Sequence, residues 1–447
     1  MKKIVSYILC LLTISVFILI FLQEKNQIFK FDALNGVNNE PKVVELTFEN
    51  LYQGKYQSYL ETHLRYHFGF RELLIRIHNQ YIWDFYHKST NNTVYVGKDN
   101  WLFGQKELMN YFQSGMYEYT DNMIEMKNKC LREAVRLHKV QNILDEYGVF
   151  VFVSLLPSKA FIYPEYIPNN IEYDKEPFHA IYYYPLVFDS LGINYINIQK
   201  IFENQKNRVD YPLFPKTGMH WSYIAAEHAF DTTLRFIEHK ANLNLHNYSI
   251  GEKYTDKPKH PDTDLEDIMD LLHYIKPNKN YYADVTVDDD TTAIKPSLII
   301  VGDSFFWNIN GSVPLTSIFS KYYFWYYNST IYSLKSTRHT SQVDILDEII
   351  NCDIINLAYS PRQLYIFSNN FIPKALLYLT HEDSDIDGTL NAIASSLDSA
   401  SEEEKMKIAK ERLFSEPEKY FPDLDTYEIP ITRNSRITEI IKKGANN

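Results

Sequence analysis

Four short apolar runs recur along the chain and predict buried β-strands. They cover residues 149–157, 193–198, 297–305 and 352–360. Each run is rich in β-branched and aromatic residues, as strands in the centre of a parallel sheet are. Amphipathic segments between them predict helices over residues 117–147, 183–191 and 223–239. This alternation predicts an α/β fold, a doubly wound parallel sheet with helices on both faces.

The most apolar segment lies near the N-terminus, where residues 4–22 carry no charge and follow Lys2 and Lys3. A helix of this length spans a hydrocarbon core, and basic residues stay on its cytoplasmic side. An uncleaved anchor and a cleaved signal peptide both fit this pattern. The sequence after Leu22 lacks small residues of a cleavage site, which favours the anchor. Both alternatives place the main domain in the periplasm or outside the cell.

The changes in composition divide the chain into four parts. Residues 1–23 are the membrane anchor or signal, and residues 24–44 are a polar linker. Residues 45–375 form the main domain, which includes a predicted hairpin over 94–104 and an Asp- and Pro-rich insertion over 250–292. Residues 376–447 form a helical C-terminal tail. Its charged segment 399–414 begins with a serine cap and an acidic first turn.

Charge and cysteine content narrow the function classes. The chain has 447 residues with 45 Lys and Arg against 57 Asp and Glu, a net charge of −12. An acidic chain binds polyanions poorly, which argues against a nucleic-acid partner. Of three cysteines, Cys10 lies in the apolar run, while Cys130 and Cys352 could form one disulfide or remain buried thiols. Without clustered Cys and His or a Gly-rich phosphate loop, we expect no metal and no organic cofactor.

The third strand runs directly into a Gly302-Asp303-Ser304 turn, which is the most informative stretch. In an open parallel sheet, ligands bind beyond the carboxyl ends of the strands. A serine there is held by a rigid element, as a nucleophile requires. Gly302 would permit a tight turn, and the Ser304 amide could then stabilise an oxyanion. The alternative is a turn that caps a helix, because Asp and Ser are both good caps.

Two further loops lie near predicted strand or helix ends. His220 and Trp221 come just before the helix predicted over 223–239. A serine nucleophile needs a base, and histidine is the usual one near neutral pH. Lys159 follows the first strand, on the same predicted face of the sheet. Lys159 and Trp221 are candidate substrate contacts, although a surface or structural role also suits Lys159.

These motifs together resemble the SGNH-hydrolase-like domain of the AlgX and AlgJ alginate O-acetylation proteins and the related DHHW proteins of exopolysaccharide clusters. The motifs are a helical RYHFGFRE stretch, a V-G-K-D-x-W-L-F segment, a strand ending in P-x-K, a His-Trp pair and a late G-D-S-F. In this chain they are Arg65 to Glu72, Val96 to Phe103, Pro157 to Lys159, His220-Trp221 and Gly302 to Phe305. The resemblance extends over roughly residues 55–375 and implies an SGNH-like fold.

The resemblance implies a Ser-His-Asp acyl-transfer site, in which Ser304 matches the nucleophile and His220 matches the base. The acid of the family lies two residues before the histidine, where this chain has Gly218. Three explanations stay open. Another carboxylate, with Asp210 or Glu227 as candidates, takes its place; the site works as a Ser-His dyad; or the domain is a degenerate enzyme that still binds glycan. Asp303 is not assigned as the orienting acid, because most turns point it away.

The expected function is that of an extracytoplasmic O-acyltransferase that acetylates an exopolysaccharide or envelope glycan. The family implies a membrane-bound O-acyltransferase as the partner that supplies the acyl group. The rivals are a glycan esterase, in which water replaces the sugar, and a non-catalytic glycan-binding subunit of an export complex. The aromatic runs at 322–328 and 181–185 could stack on sugars or fill the core.

Overall fold

The computed structural model describes residues 2–35, 40–113, 123–169, 171, 178–275, 280–397 and 401–425. Its α-helices within these residues are α1 (Lys2–Asn26), α2 (Phe48–Tyr52), α3 (Lys55–Tyr66), α4 (Arg71–Tyr86), α5 (Gln105–Phe112), α6 (Met123–Asp145), α7 (Lys159–Ile162), α8 (Ala180–Leu191), α9 (Ile198–Gln205), α10 (Tyr223–Ala241), α11 (Asp264–Asp267), α12 (Phe306–Ser312), α13 (Leu315–Ile318), α14 (Ile345–Ile350), α15 (Phe371–Thr380), α16 (Asp383–Ser395) and α17 (Glu402–Ser415).

The strands form one large sheet and three small antiparallel pairs. They are β1 (Val94–Val96), β2 (Leu102–Gly104), β3 (Phe150–Leu155), β4 (Tyr195–Asn197), β5 (Tyr248–Ile250), β6 (Tyr254–Asp256), β7 (Asn280–Tyr282), β8 (Val285–Val287), β9 (Ser297–Gly302), β10 (Lys321–Tyr326), β11 (Thr330–Tyr332), β12 (Thr337–His339) and β13 (Ile354–Tyr359). The pairs are β1 with β2, β5 with β8 and β6 with β7. The first of them is the predicted hairpin.

The large sheet has the strand order β12-β11-β10-β9-β13-β3-β4. The five strands from β10 to β4 pair in parallel, and β11 and β12 add an antiparallel edge. The four predicted strands are β3, β4, β9 and β13, and they are neighbours in the sheet. The sheet is therefore doubly wound as predicted, with a mixed edge that the apolar runs did not indicate.

Helices cover both faces of this sheet and enclose two apolar cores. One core lies under α6, α8, α14, α15, α16 and α17, and the other lies under α9, α10, α12 and α13. The central strands contribute to both cores because successive side chains point to opposite faces. Val301 and Leu357 face the first core, and Ile300 and Ile354 face the second. This double burial explains why β9 and β13 are almost continuously apolar.

The C-terminal helices pack on the first core as far as residue 425. The predicted boundary at residue 376 falls inside α15, where Leu376 and Leu377 are fully buried. Helix α17 begins at a Ser401 cap, whose hydroxyl accepts the Glu404 N–H, and it buries Ala409 and Leu413. The start of the predicted helix 117–147 and the last 22 residues of the chain lie outside the described residues.

Helix α1 is the one helix among the described residues that is long and apolar enough to cross a membrane, over Ile4–Asn26. Length and composition suit both an anchor and a signal sequence. Cys130 and Cys352 are buried free thiols rather than a disulfide. Burial raises the pKa of each thiol to about 11, so both stay protonated near neutral pH.

Candidate active site

Ser304 lies just beyond the carboxyl end of β9, at the edge of the sheet where ligands bind. A side chain at Gly302 would meet the Ala358 carbonyl of β13 at 2.5 Å, so the glycine permits close approach of the two strands. Gly302 is therefore a strand-packing residue, and its φ is not in the left-handed region. Asp303 is buried and accepts the N–H groups of Phe305 and Ser360 at 3.1 and 2.8 Å. These two bonds fix the turn and leave Asp303 with no part in orienting a base.

His220 lies in the loop before α10, and its Nε2 is 2.7 Å from the Ser304 Oγ. The loop is fixed directly after the histidine. Ser222 caps α10, and the Trp221 Nε1–H donates to the Phe305 carbonyl at 2.9 Å. Asn308 donates in turn to the Trp221 carbonyl at 3.0 Å. The loop that carries His220 is thus hydrogen-bonded directly to the segment that follows Ser304.

Asp264 is the carboxylate that meets the other nitrogen of His220. Its Oδ2 is 2.6 Å from Nδ1, and its Oδ1 accepts the Met219 N–H at 2.7 Å. Asp264 begins the short helix α11 in the inserted segment. A carboxylate on Nδ1 keeps the proton there and leaves Nε2 free to accept the serine proton. The structure therefore contains a complete Asp264-His220-Ser304 hydrogen-bond chain.

Neither predicted orienting acid lies at His220. Asp210 is largely exposed and pairs with Lys253, which lowers the pKa of its carboxyl. Glu227 is buried on α10, where burial raises its pKa to about 7 against the opposing effects of Ser312 and Lys259. The two residues are close to His220 in the sequence. However, the loop and helix direct their side chains to other partners, and Asp264 takes the place that we had assigned to them.

Glu227→Gln should stabilise the protein at alkaline pH. The folded protein holds the pKa of Glu227 above its ordinary value, so folding favours the protonated form. The stability cost of Glu227 is therefore absent below about pH 4.5, grows as the pH rises, and is complete above about pH 7. Because each pKa unit corresponds to about 1.4 kcal/mol, we expect the variant to gain roughly 1–3 kcal/mol at pH 8.

Thermal unfolding of the detergent-solubilised chain at pH 5 and pH 8 measures this effect. The gain in unfolding temperature should appear at pH 8 and shrink at pH 5. Asp231→Asn is the matched control, because Asp231 lies on the same helix and pairs with Arg235 at the surface. A gain in Glu227→Gln that is equal at both pH values would contradict the assignment.

The position of Asp264 explains why residue 218 is a glycine. A Cβ atom there would lie 2.5 Å from the Asp262 carbonyl oxygen and 2.8 Å from the Pro261 carbonyl oxygen. The segment that delivers Asp264 therefore occupies the space of a side chain at residue 218. An acid two residues before the histidine and an acid from the insertion exclude each other sterically in this backbone. A glycine at residue 218 is therefore required when the carboxylate at His220 is Asp264 of the insertion.

The two candidate substrate contacts are buried. Trp221 is 1% exposed and holds the loop through Phe305. Lys159 is fully buried, and its Nζ donates to the carbonyls of Leu102, Lys216 and Gly218 at 2.7–2.9 Å. The side chains therefore cannot touch a substrate from these positions. Lys159 instead joins the strand β2 to the loop that carries His220.

A small pocket opens beside Ser304. It is lined by Glu107, Asn110, Ser158, Met219, Asp303, Ser304, Phe305, Tyr327, Ser360 and Arg362. The Ser304 N–H has no hydrogen-bond partner among the described residues, which suits an oxyanion donor. Glu107 is buried, and its Oε1 accepts the Ser158 hydroxyl and the Ala160 N–H, both at 2.8 Å. Burial raises the pKa of the Glu107 carboxyl, while the neighbouring Lys159 opposes this.

Most of the aromatic side chains in the two Tyr-rich runs belong to the core. Phe324 and Trp325 of β10 are buried on opposite faces of the sheet, and Tyr184 is buried on α8. Tyr182 is 48% exposed, and Tyr327 lines the pocket beside Ser304. Sequence reasoning missed Asp264, Glu107, Asn110 and Arg362. Gly218 left open that an acid comes from elsewhere, but the two candidates, Asp210 and Glu227, both lie outside the insertion that carries Asp264.

The sheet and its helices form an SGNH-like α/β fold. Residues 94–307 match the family model described as the SGNH hydrolase-like domain of the acetyltransferase AlgX. This match contains Ser304, His220 and Asp264, and it confirms the resemblance inferred from the motifs. Among curated protein sequences, none matches the chain.

Solved structures that match this chain include three bacterial proteins. The O-acetyltransferase domain of Pseudomonas putida AlgJ has a TM-score of 0.40 and 16% identity, covering 63% of this chain and 98% of that one. Pseudomonas aeruginosa AlgX has a TM-score of 0.34 and 13% identity, covering 60% and 55%. Bacillus cereus PatB1 with a sulfonyl adduct has a TM-score of 0.40 and 13% identity, covering 61% and 97%.

Proposed function

We propose that the protein is a membrane-anchored, extracytoplasmic O-acyltransferase that acetylates a polysaccharide or envelope glycan. The observation that supports this most directly is the unbroken chain from Asp264 through His220 to the Ser304 hydroxyl. It favours a Ser-His-Asp enzyme over both the dyad and the degenerate glycan-binding subunit. The family match to an acetyltransferase model supports acyl transfer as the reaction class.

The reaction proceeds through an acyl-enzyme. His220 Nε2 takes the Ser304 proton as Oγ attacks the carbonyl carbon of an acyl ester or thioester donor, and the imidazolium returns that proton to the leaving group. A sugar hydroxyl then attacks the acyl carbon while His220 takes its proton, and Ser304 leaves as the reprotonated hydroxyl. Asp264 stabilises the imidazolium in both steps. The Ser304 N–H, which has no hydrogen-bond partner among the described residues, would bond the oxyanion.

The location of the domain determines the donor. A domain outside the cytoplasmic membrane cannot reach cytoplasmic acetyl-CoA, so the acyl group must cross the membrane first. A membrane-bound O-acyltransferase is the partner that the family resemblance implies for this step. Helix α1, as an uncleaved anchor, would hold the domain beside that partner.

Ser304→Ala should abolish acyl-enzyme formation. The full chain in detergent, exposed to an activated acetyl ester, should gain one acetyl group by intact-mass analysis, and the variant should gain none. Ser360→Ala is the matched control, because it removes a different hydroxyl of the same pocket and should retain the adduct. An unmodified wild-type chain that is folded and soluble would contradict covalent catalysis with this donor.

The fate of the acetyl group separates transfer from hydrolysis. Addition of a neutral oligosaccharide to the acetylated chain should yield acetylated sugar and regenerate free Ser304. Release of acetate at the same rate with and without sugar would instead indicate an esterase.

A further inference from the structure

The segment that follows the membrane helix exposes an unusual number of apolar side chains. Phe48 and Tyr52 of α2 are each 85% exposed, and the next two helices carry one apolar stripe each. We call these stripes the apolar face, which consists of Leu60 and Leu64 of α3 and Leu74, Ile77, Tyr81 and Phe85 of α4. All six side chains are at least 40% exposed. Clusters of exposed apolar side chains mark sites of interaction.

The spacing of the stripes shows that each lies along one side of its helix. Leu60 and Leu64 are four residues apart, and the residues of α4 follow at intervals of three and four. The opposite side of α4 packs on the domain, where Trp83 is buried against Leu265 and Met269 of the insertion. The apolar face therefore has no role in the domain core.

The turn between α3 and α4 lies against the end of the membrane helix. A Cβ atom at Gly69 would meet the Ile20 carbonyl of α1, and His67 Nδ1 is 3.1 Å from the Glu24 carboxylate. The ring of Phe70 lies 6.0 Å from the ring of Phe29. Ile20 and Glu24 mark the end of the apolar run of α1. The end of α3 and the start of α4 therefore lie beside the end of the apolar run of α1.

We propose that the apolar face lies in the headgroup layer of the membrane that α1 spans. This inference rests on the proposed anchoring by α1. Aromatic residues concentrate at membrane interfaces, and the face and its flanks are rich in Tyr and Phe. Residues 42–88 carry six basic and five acidic side chains, so the attraction is apolar rather than electrostatic. A bilayer of zwitterionic lipid is the occupant that this composition fits.

Contact with the membrane would orient the catalytic site through α4. The buried Asn79 side chain of α4 donates to the Met269 carbonyl at 2.9 Å, and Arg76 donates to the carbonyls of Asp32 and Ala33, each at 2.9 Å. Asn35 of the same juxtamembrane segment bonds the Asp270 carboxylate. The insertion that carries Asp264 is thus bonded both to α4 and to the segment leaving the membrane. The distance of Ser304 from the bilayer is fixed by these contacts.

Site-specific quenching by lipids tests the proposal on the full chain. In a Cys10→Ser background, the two remaining thiols are buried, so that a cysteine introduced at Ile77 or Phe85 takes an environment-sensitive NBD label. The labelled chain is reconstituted in phosphatidylcholine vesicles that contain a lipid with a nitroxide near the headgroup. We expect loss of NBD emission at both sites, unchanged at high salt. Leu334→Cys is the matched control, because Leu334 is 68% exposed outside this face and should keep its emission.

The outcomes distinguish anchoring by α1 from contact of the apolar face with the bilayer. In one outcome the labelled chain resists extraction by alkaline carbonate while Ile77→Cys and Phe85→Cys are not quenched. The chain is then anchored, but its apolar face does not contact the bilayer. This result overturns the proposal and indicates a protein partner for the face. Equal quenching at Leu334→Cys also overturns it, because the contact would then not be specific to α3 and α4. A chain that carbonate removes from the vesicles overturns the anchor and the face together.

Discussion

Asp264→Asn should slow acylation of Ser304 by about four orders of magnitude while leaving the fold intact, as loss of the orienting acid does in serine hydrolases. An asparagine has nearly the same shape and can still accept the Met219 N–H. However, it cannot stabilise the imidazolium, and its amide can force the His220 proton onto Nε2. That tautomer cannot accept the serine proton. The expected defect is therefore chemical rather than structural.

The rate of acetyl adduct formation, followed by rapid-quench mass spectrometry, measures this defect. Asp262→Asn is the matched control. Asp262 is a buried carboxylate two residues away, and it accepts the Tyr282 hydroxyl rather than touching His220. The control should stay within about tenfold of the wild-type rate, since it removes no group from the hydrogen-bond chain. A near-normal rate in Asp264→Asn would favour a Ser-His dyad instead.

A second variant tests whether the acid can be moved back in the sequence. Gly218→Asp together with Asp264→Asn restores the order of acid and histidine that the family resemblance predicts. We expect no rescue, because the new Cβ would collide with the carbonyls of Asp262 and Pro261. Recovery of the acylation rate would show that the insertion can withdraw from His220 and that the two acids are interchangeable.

The sequence predicted the parts of the fold that depend on local pattern. Strands β3, β9 and β13 are buried on both faces, so their near-continuous apolar runs are readable without a structure. Strand β10 was missed because it is dominated by aromatic residues that do not alternate with polar ones. The antiparallel edge was missed because β11 and β12 have only three residues each. The family resemblance supported the SGNH-like fold through the order of its motifs, but it did not predict this edge of the sheet.

The site was predictable where a motif lies next to a strand or helix end. Ser304 and His220 have such positions, and the structure places their side chains 2.7 Å apart. Asp264 could not be predicted, because it is 44 residues from His220 in the sequence. Their contact depends on how the insertion folds back on Gly218. Proximity in sequence favoured Asp210 and Glu227, and proximity in sequence does not determine proximity in space. For Lys159 the substrate-contact and surface roles were wrong and the structural alternative holds. Its burial depends on carbonyls of Leu102, Lys216 and Gly218, which are far from it in the sequence.

Lys159→Met should destabilise the domain by roughly 3–5 kcal/mol, because it removes a buried cation that bonds three carbonyls and interacts electrostatically with the buried Glu107 carboxylate. Burial lowers the pKa of Lys159, but Glu107 and Asp264 oppose this effect. Three carbonyl acceptors match the three N–H groups of an ammonium. Methionine would fill the volume, but it would leave these acceptors and the Glu107 carboxylate without their cation. Because domains are stable by only about 5–15 kcal/mol, much of the margin would be lost.

Unfolding temperatures of the solubilised chain measure this loss, and Lys374→Met is the matched control. Lys374 is also mostly buried, and burial together with Lys410 lowers its pKa to about 8. Its Nζ lies 5.0 Å from the centre of the Phe414 ring and has no hydrogen-bond acceptor within the part of the chain that the structure describes. Methionine should therefore be neutral or stabilising at residue 374. The double variant Lys159→Met, Glu107→Gln should recover part of the loss, because it removes the uncompensated carboxylate. Equal effects of the two lysine substitutions would mean that the carbonyl contacts and Glu107 contribute nothing beyond packing.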